Sequence, residues 1–452
     1  MGGPINPGLQ RGDLPFHDIR EFGSIETSDH TALLNTAAAQ IPIGSTLFLP
    51  LHTYVLTGTG QLINITRKFS ILGDGAVIRA DVTDSVTDIL YVHVTDAGGF
   101  GDVRGMKING VAAFFNGSPG RHCILVHAEG GGALPQSGIE VSHCSFSSGA
   151  GAAIFVAGAV HSARIFDCDS ISGGIEFGSY SGSSVPGDAH RVHRNLISGN
   201  RTGIILRAQF GSYSHTIKDN VIVSRDGAIY STASQVKIRD NQIEQVGVNG
   251  SAYNASVVIA GDDYAVESWE VTGNNFGGGS NVGTNIVVVN GAHGLIEGNA
   301  FNETAGGVDI NFASSGSSYN RVGYNSTRGT RGVFKPINLL VADNGEGNYG
   351  IWRFISSFGL SNSWLSDGLF YKSVDGKVSI EATLTAGVTT AGTLMFTLPV
   401  GARPIDAMRV GVETSSGAGH VLIGTNGQVT VGSLPSNTVY FNGFTFLAWH
   451  EV

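Results

Sequence analysis

Paired cysteines, positive charge and long apolar runs are what this chain has least of. Three cysteines, Cys123, Cys144 and Cys168, cannot build a disulfide framework, and no metal-ligand spacing is present. No metal or cofactor is therefore expected. Charged residues make up 14% of the chain and the formal net charge is −10, which argues against nucleic acid as the main partner. No apolar run approaches the roughly 18 residues of a membrane span, and the opening MGGPINPGLQRGD has no signal-peptide core. A soluble chain with no membrane insertion and no export address is expected. What is plentiful is glycine, at 66 of 452 residues, with aromatics at 9%. That profile fits a turn-dense, strand-rich protein rather than a helical or disordered one.

One pattern recurs through the middle of the chain. RVHRNLI from Arg191, IKDNVIV from Ile217 and KIRDNQI from Lys237 each place an alternating strand before an Asn, with an apolar residue two places later. Those residues, Asn195, Asn220 and Asn241, lie 25 and 21 positions apart. Cys144 and, less clearly, Cys168 take the Asn position upstream, and Asn274 and Asn299 continue it downstream. Apolar residues fall three and five places before the ladder residue, as in Ile139/Val141, Val236/Ile238 and Trp269/Val271. That is the period of a strand with one face inward. A second short strand follows at each turn: AIFV from Ala153, GIEF from Gly174, GIIL from Gly203, AIY from Ala228, VVIA from Val257, IVVV from Ile286 and GVDI from Gly307. No helix-period stretch lies between the strands, which disfavours a βαβ sheet. Self-similarity at this period predicts a stacked parallel β-helix. An inward turn leaves backbone groups without water, and stacked Asn amides can satisfy them rung by rung. Cys144 and Cys168 are expected as small buried fillers of the same column.

Residues 1–60 hold the one convincing helix, with Ser28 expected as N-cap and Leu33, Leu34, Ala37 and Ala38 as its apolar stripe before Ile41-Pro42 ends it. HDIREFGSI, this helix ending in AAAQ, then GSTLFLPLHTYVLTG and FSILGDG resemble the opening of pectate-lyase-like right-handed parallel β-helices. Bacteriophage tailspikes and polysaccharide depolymerases share that opening, and the resemblance implies that the helix caps the first coil. The motifs cover about residues 17–80, and the repeat architecture extends the likeness to 330. The resemblance also implies a homotrimer on a phage tail, located in the virion or outside the cell. No virion-attachment head domain is recognisable, so a trimmed start is expected.

The β-helix is placed at 61–330, a linker at 331–344 and an antiparallel β-sandwich at 345–452. FYKSV-DG-KVSIEA and HVLIGT-NG-QVTVGS are hairpin signals in that last part. LMFTLPVGARP from Leu394 resembles C-terminal antiparallel domains of phage tail proteins. Trimerisation or carbohydrate contact is its expected task, with a purely structural cap as the plainer alternative.

Two outward columns follow from the ladder register. Four places before each ladder residue stand Glu140, Arg164, Arg191, Thr216, Lys237 and Glu270; two before it stand Ser142, His193, Lys218, Arg239 and Thr272. Arg164, Arg191, His193, Lys218, Lys237 and Arg239 are the expected substrate-binding residues, because aligned cations suit a charged repeating glycan. The plainer alternative is a solvated face whose cations guard against aggregation. The second-strand column Phe155, Glu176, Ile205, Tyr230, Val258, Val287 and Asp309 is mostly apolar, which suggests a subunit interface.

Glycosidic hydrolysis needs two carboxylates about 5–10 Å apart. Glu176, with Arg207 near it one coil on, and Asp226 and Glu244, expected at turn positions one coil apart, are the candidate catalytic residues. Asp262 and Asp263 follow the longest insertion. None forms a motif, and an ordinary surface carboxylate is the alternative for each. Asp219 and Asp240 are expected to bond turn backbone. His190, His193 and His215 have no metal signature and are expected as core or surface histidines. The expected function is a tailspike-like protein that binds a bacterial surface polysaccharide (capsule, exopolysaccharide or O-antigen) and hydrolyses it. A non-catalytic adhesin is one alternative. A polysaccharide lyase acting on a uronate glycan, with Arg207 or Arg239 as base and often Ca²⁺, is the other.

Overall fold

In the computed structural model the described residues are 15–448, apart from 95–104, 118–119, 129–135, 149, 159, 180–186, 208–212, 246–254, 262–264, 279–283, 303–307, 313–319, 323–324, 328–334, 337–350, 355–359, 373–376 and 399–401. Among the described residues the chain is all-β apart from one α-helix and a 3-10 turn, and it forms the expected right-handed parallel β-helix followed by an antiparallel β region. It divides into two compact units, Met1–Ala252 and Tyr253–Val452. Most of the expected 331–344 linker, the Asp375-Gly376 turn, Asp262 and Asp263 lie outside the described residues.

In the first unit the strand pairs flanking each ladder residue stack into one parallel sheet, here the ladder sheet. Arg164–Phe166, Arg191–His193, Thr216–Lys218 and Lys237–Arg239 follow in unbroken register. After the ladder residue Leu196–Gly199, Val221–Ser224 and Gln242–Gln245 do the same. A second parallel sheet runs from Gln61–Ile65 through Asp88–Val94, His122–Ala128, Ile154–Gly158, Ile175–Gly178 and Ile204–Leu206 to Ile229–Ser231. Alternation decides which side chains enter the core. Ile165, Val192, Ile217 and Ile238 are buried before the ladder, and Ile171, Ile197, Ile222 and Ile243 after it.

The bend between the paired strands is made the same way in five successive coils. His143, Asp167, Arg194, Asp219 and Asp240, each just before a ladder residue, have φ of 51–57°. This left-handed conformation turns the chain so that the next side chain points inward. There Asn195 Oδ1 accepts the Cys168 N–H at 3.1 Å, Asn220 Oδ1 the Asn195 N–H at 3.1 Å, and Asn241 Oδ1 the Asn220 N–H at 3.0 Å. Each Nδ2 reaches carbonyls of its own and the preceding coil, as Asn195 does to His193 and Ile165. Cys144 and Cys168 fill the same column: the Cys144 thiol donates to the Ser142 carbonyl at 3.1 Å, two residues back, as an Asn would. Burial pushes the Cys144 and Cys168 thiols up to about 11 and about 12, so both are inert. Cys168 read less clearly because its coil carries one more residue before the inward Ile171, which pairs with Ile197.

A second inward column is built partly of histidine. His190 Nδ1 accepts the Ala163 N–H at 3.3 Å and His215 Nδ1 the His190 N–H at 3.4 Å, with the two rings stacked at 5.0 Å. Both are buried, as core histidines.

The helix α1, Thr31–Gln40, buries Leu33, Leu34, Ala37 and Ala38 as expected. Ser28 is not its cap. The N-cap position is His30, and Asp29 Oδ1 takes the Thr31 N–H at 2.9 Å, so the helix starts later than the Ser pointed to. Asn35 on α1 donates to the Leu62 carbonyl at 2.6 Å and accepts the Asn64 N–H at 3.0 Å. It thereby closes the edge strand Gln61–Ile65, where an uncovered parallel edge would invite further strands.

In the second unit the ladder runs from Asn274 through Asn299 to Asn325, with Asn299 Oδ1 accepting the Asn274 N–H and Asn325 Oδ1 the Asn299 N–H. Here glycines Gly273 and Gly298 take the left-handed position, at φ 67° and 69°. Val258 pairs with Val287 and Val287 with Asn311, so Asn311 and not Asp309 continues that column. From Ile351 onward eight strands form one antiparallel sheet. Gly417–Ile423 and Gln428–Ser433 make the hairpin expected at Asn426-Gly427, with Gly427 at φ 81°. Val378, Ile380, Leu384, Val421, Val429 and Phe441 lead its core.

The outward column of the second sheet is not an exposed stripe. Phe155, Val258 and Val287 are only 8%, 4% and 2% exposed within the chain itself. Burial accounts for the apolar character of these three, while Ile205 and Tyr230 in the same column are half-buried.

Candidate functional site

The six cationic or histidine side chains expected to meet substrate come together on the outer face of the ladder sheet in the first unit. Arg164, Arg191, Thr216 and Lys237 form one registered column, and Phe166, His193, Lys218 and Arg239 form the next. Neighbours within a column are about 4.8 Å apart, the spacing of paired strands, and the columns are separated by about 6.6 Å along the strand. The residues between them (Ile165, Val192, Ile217, Ile238) point into the core, which is why both columns face out.

Local contacts set the electrostatics. Phe166 and His193 are stacked with centroids at 5.2 Å and planes within 4°. Partial burial, then the neighbouring Arg194, holds the His193 imidazole below its ordinary value. Glu140 sits between Lys107 and Arg164 at 3.4 and 3.5 Å. Arg194 clamps Asp167 with Nε–Oδ1 at 2.6 Å and a second nitrogen at 2.8 Å. That bond holds the Asp167 carboxyl below the usual carboxylate range. Lys218 Nζ lies 3.2 Å from its neighbour Asp219. Asp219 and Asp240 carry the left-handed bend, and their exposed side chains point to solvent.

Past the bend, the same sheet exposes Leu196 at 43% and Val221 at 36%. Glu244 lies there, on the strand Gln242–Gln245 and opposite Val223, with Gln242 Nε2 3.1 Å from its Oε1. It is a strand residue whose neighbour on the preceding coil is Val223, not Asp226. Asp226 sits in the bend leading to the second sheet, where its carbonyl accepts from Thr202 Oγ1 at 3.4 Å. Glu176 belongs to the second sheet, between Phe155 and Ile205, and Arg207 Nε binds its Oε1 at 2.9 Å. The structure therefore brings Glu176 and Arg207 together, and Glu244 onto the cation-bearing sheet, but it gathers no set from all four. Among the described residues, no group of three or more His, Cys, Asp or Glu side chains could hold a metal ion.

Phe166, Asp167 and Arg194 belong to this face and were not expected there. The signal for the last two was available: each precedes a ladder residue, as Asp219 and Asp240 do.

No family model matches the chain, and no curated protein matches it. Solved structures do. The chain is similar in structure to a phage tailspike, an adhesin and a glucanase. Tailspike protein 3 of bacteriophage CBA120 is 12% identical, over 80% of this chain and 68% of that one, with a TM-score of 0.44. PfbA, a surface adhesin of Streptococcus pneumoniae, is 11% identical over 75% and 95%, at 0.49. The catalytic unit of the GH87 α-1,3-glucanase of Streptomyces thermodiastaticus is 14% identical over 73% and 71%, also at 0.49. These names span attachment and cleavage, so they do not choose between the two.

Proposed function

We propose that this protein binds a bacterial surface polysaccharide along the outer face of the ladder sheet and depolymerises it by hydrolysis, as part of a phage tail. The observation that carries the proposal is the pair of registered columns running across the strands. They repeat recognition groups once per coil, which suits an extended polymer better than a compact ligand. Glu244, Glu176 and Asp226 are the proposed acids, with Arg207 holding Glu176. Glu244 is the one that shares the cation-bearing sheet. Assembly into a homotrimer in the virion or outside the cell belongs to the same proposal; light scattering at one chain mass would remove it.

The test is a reducing-end assay on a panel of bacterial polysaccharides, with and without chelator. Saturated products that form in chelator are expected, and Glu244→Gln or Glu176→Gln is expected to lower the rate by about 100-fold or more while binding persists. No new ends would mean an adhesin. Chelator-sensitive unsaturated products would mean a lyase, with Arg207 or Arg239 as base.

A further inference from the structure

The cationic face contains a conflict that folding does not resolve. Arg164 stands directly beside Arg191 on the neighbouring strand, and Lys218 directly beside Arg239. Like charges side by side on one sheet face repel and destabilise it. Arg164 has Glu140 and Lys218 has Asp219 to offset this. Arg191 is exposed, and among the described residues no carboxylate lies within ion-pair distance of it. Arg164, Arg191, Arg194, Lys218, Lys237 and Arg239 stand together on four successive coils of a chain whose net charge is −10. A solvated sheet face needs charge to stay soluble, but it is better served by alternating signs. With 36 acidic residues in the chain, cations placed in register on this one face oppose the overall balance.

We infer that the polysaccharide bound here is acidic, and that the in-register pairs Arg164/Arg191 and Lys218/Arg239 receive its anionic groups. The proposal rests on the polysaccharide reading above and narrows it to a substrate class. Each pair offers two cations about 4.8 Å apart, so one carboxylate, sulfate or phosphate between them relieves the repulsion. The exposed Leu196 and Val221 beside the columns give the C–H faces of sugar rings an apolar surface. Nucleic acid, the other common polyanion, is disfavoured by the acidic remainder of the chain.

The experiment measures binding of the full chain to purified bacterial polysaccharides, half of them bearing uronate, sulfate or phosphate and half neutral, with duplex DNA as a further polyanion. Titrations run at about 50 and 300 mM salt. The polymers bound are expected to be acidic, with affinity falling at least tenfold at the higher salt. Arg191→Gln and Arg239→Gln are each expected to weaken that binding three- to tenfold. Arg191→Gln is also expected to keep or raise the melting temperature, because it removes an unresolved repulsion. A neutral polymer bound tightly and without salt dependence would overturn the acidic class and leave the polysaccharide reading standing. DNA bound as tightly as any glycan would overturn the glycan assignment of this face. A panel with no binder at all would contradict the polysaccharide reading itself. Arg191→Gln that lowers the melting temperature and leaves binding intact would make Arg191 a structural residue and sink the proposal.

Discussion

A single inward amide illustrates how this chain holds its coils together. Asn220 accepts the Asn195 N–H and donates to the Val192 and Lys218 carbonyls, the first two bonds buried and the third partly so. Asn220→Ala leaves these groups unpaired and opens a small cavity, at an expected cost of about 2–4 kcal/mol in a denaturant titration. Asn220→Cys is expected to cost less, because Cys144 and Cys168 show that a thiol fits the column and reaches the same carbonyls. Equal costs for Ala and Cys would contradict the ladder account. At this scale the sequence was most legible where a residue type has one job. Inward Asn at a coil's spacing can be read directly, and Asn325 extends the series beyond the last rung read from it. Ser28 gives a false capping signal because Asp29, one place on, takes the backbone N–H of Thr31. Asp219 and Asp240 differ from expectation because an Asp before a turn Asn can either bond the backbone or tolerate φ near 55°, and here it does the second.

Among the elements, the histidine column gives the fold a pH dependence. Burial lowers His215 to about 4, and burial with the charge of His215 lowers His190 well below its ordinary value. The unfolded chain takes up these protons near pH 6.5 while the folded one resists. Their contribution is therefore whole above pH 6.5 and declines below it, the His215 share being lost as pH falls through 4, at up to about 1.4 kcal/mol per pH unit for a ring. The urea midpoint is expected to drop over that window. In the second unit Asn320 Oδ1 takes the Gly294 N–H at 2.8 Å, the role that His215 plays for His190. His215→Asn is expected to flatten the decline, and an unchanged slope would show that the rings are not its source. Registers were legible at this scale because a one-residue slip would turn every side chain to the opposite face. In the outward column of the second sheet, apolar spacing is ambiguous for a related reason. An apolar residue facing away from the core can be covered by its own chain, as Phe155 is, and spacing carries no information about coverage.

For the whole molecule, the fold follows from repetition and the function from what repetition leaves unequal. Glycine takes the left-handed bend at Gly273 and Gly298, whereas charged residues take it from Asp167 to Asp240. The coils with charged bends also carry both cation columns. Which carboxylate acts was not legible, because Glu176, Asp226 and Glu244 differ in sheet and in side of the bend, and these depend on strand boundaries that single residues shift. Glu244 fell on a strand for that reason. The measurement that tests the central claim most directly is hydroxyl-radical footprinting of the chain with and without a bound polysaccharide. Protection is expected at Phe166, His193, Leu196 and Val221, on the ladder-sheet face. Protection confined to Met408 and Leu422 on the antiparallel sheet, with those four side chains unchanged, would contradict it.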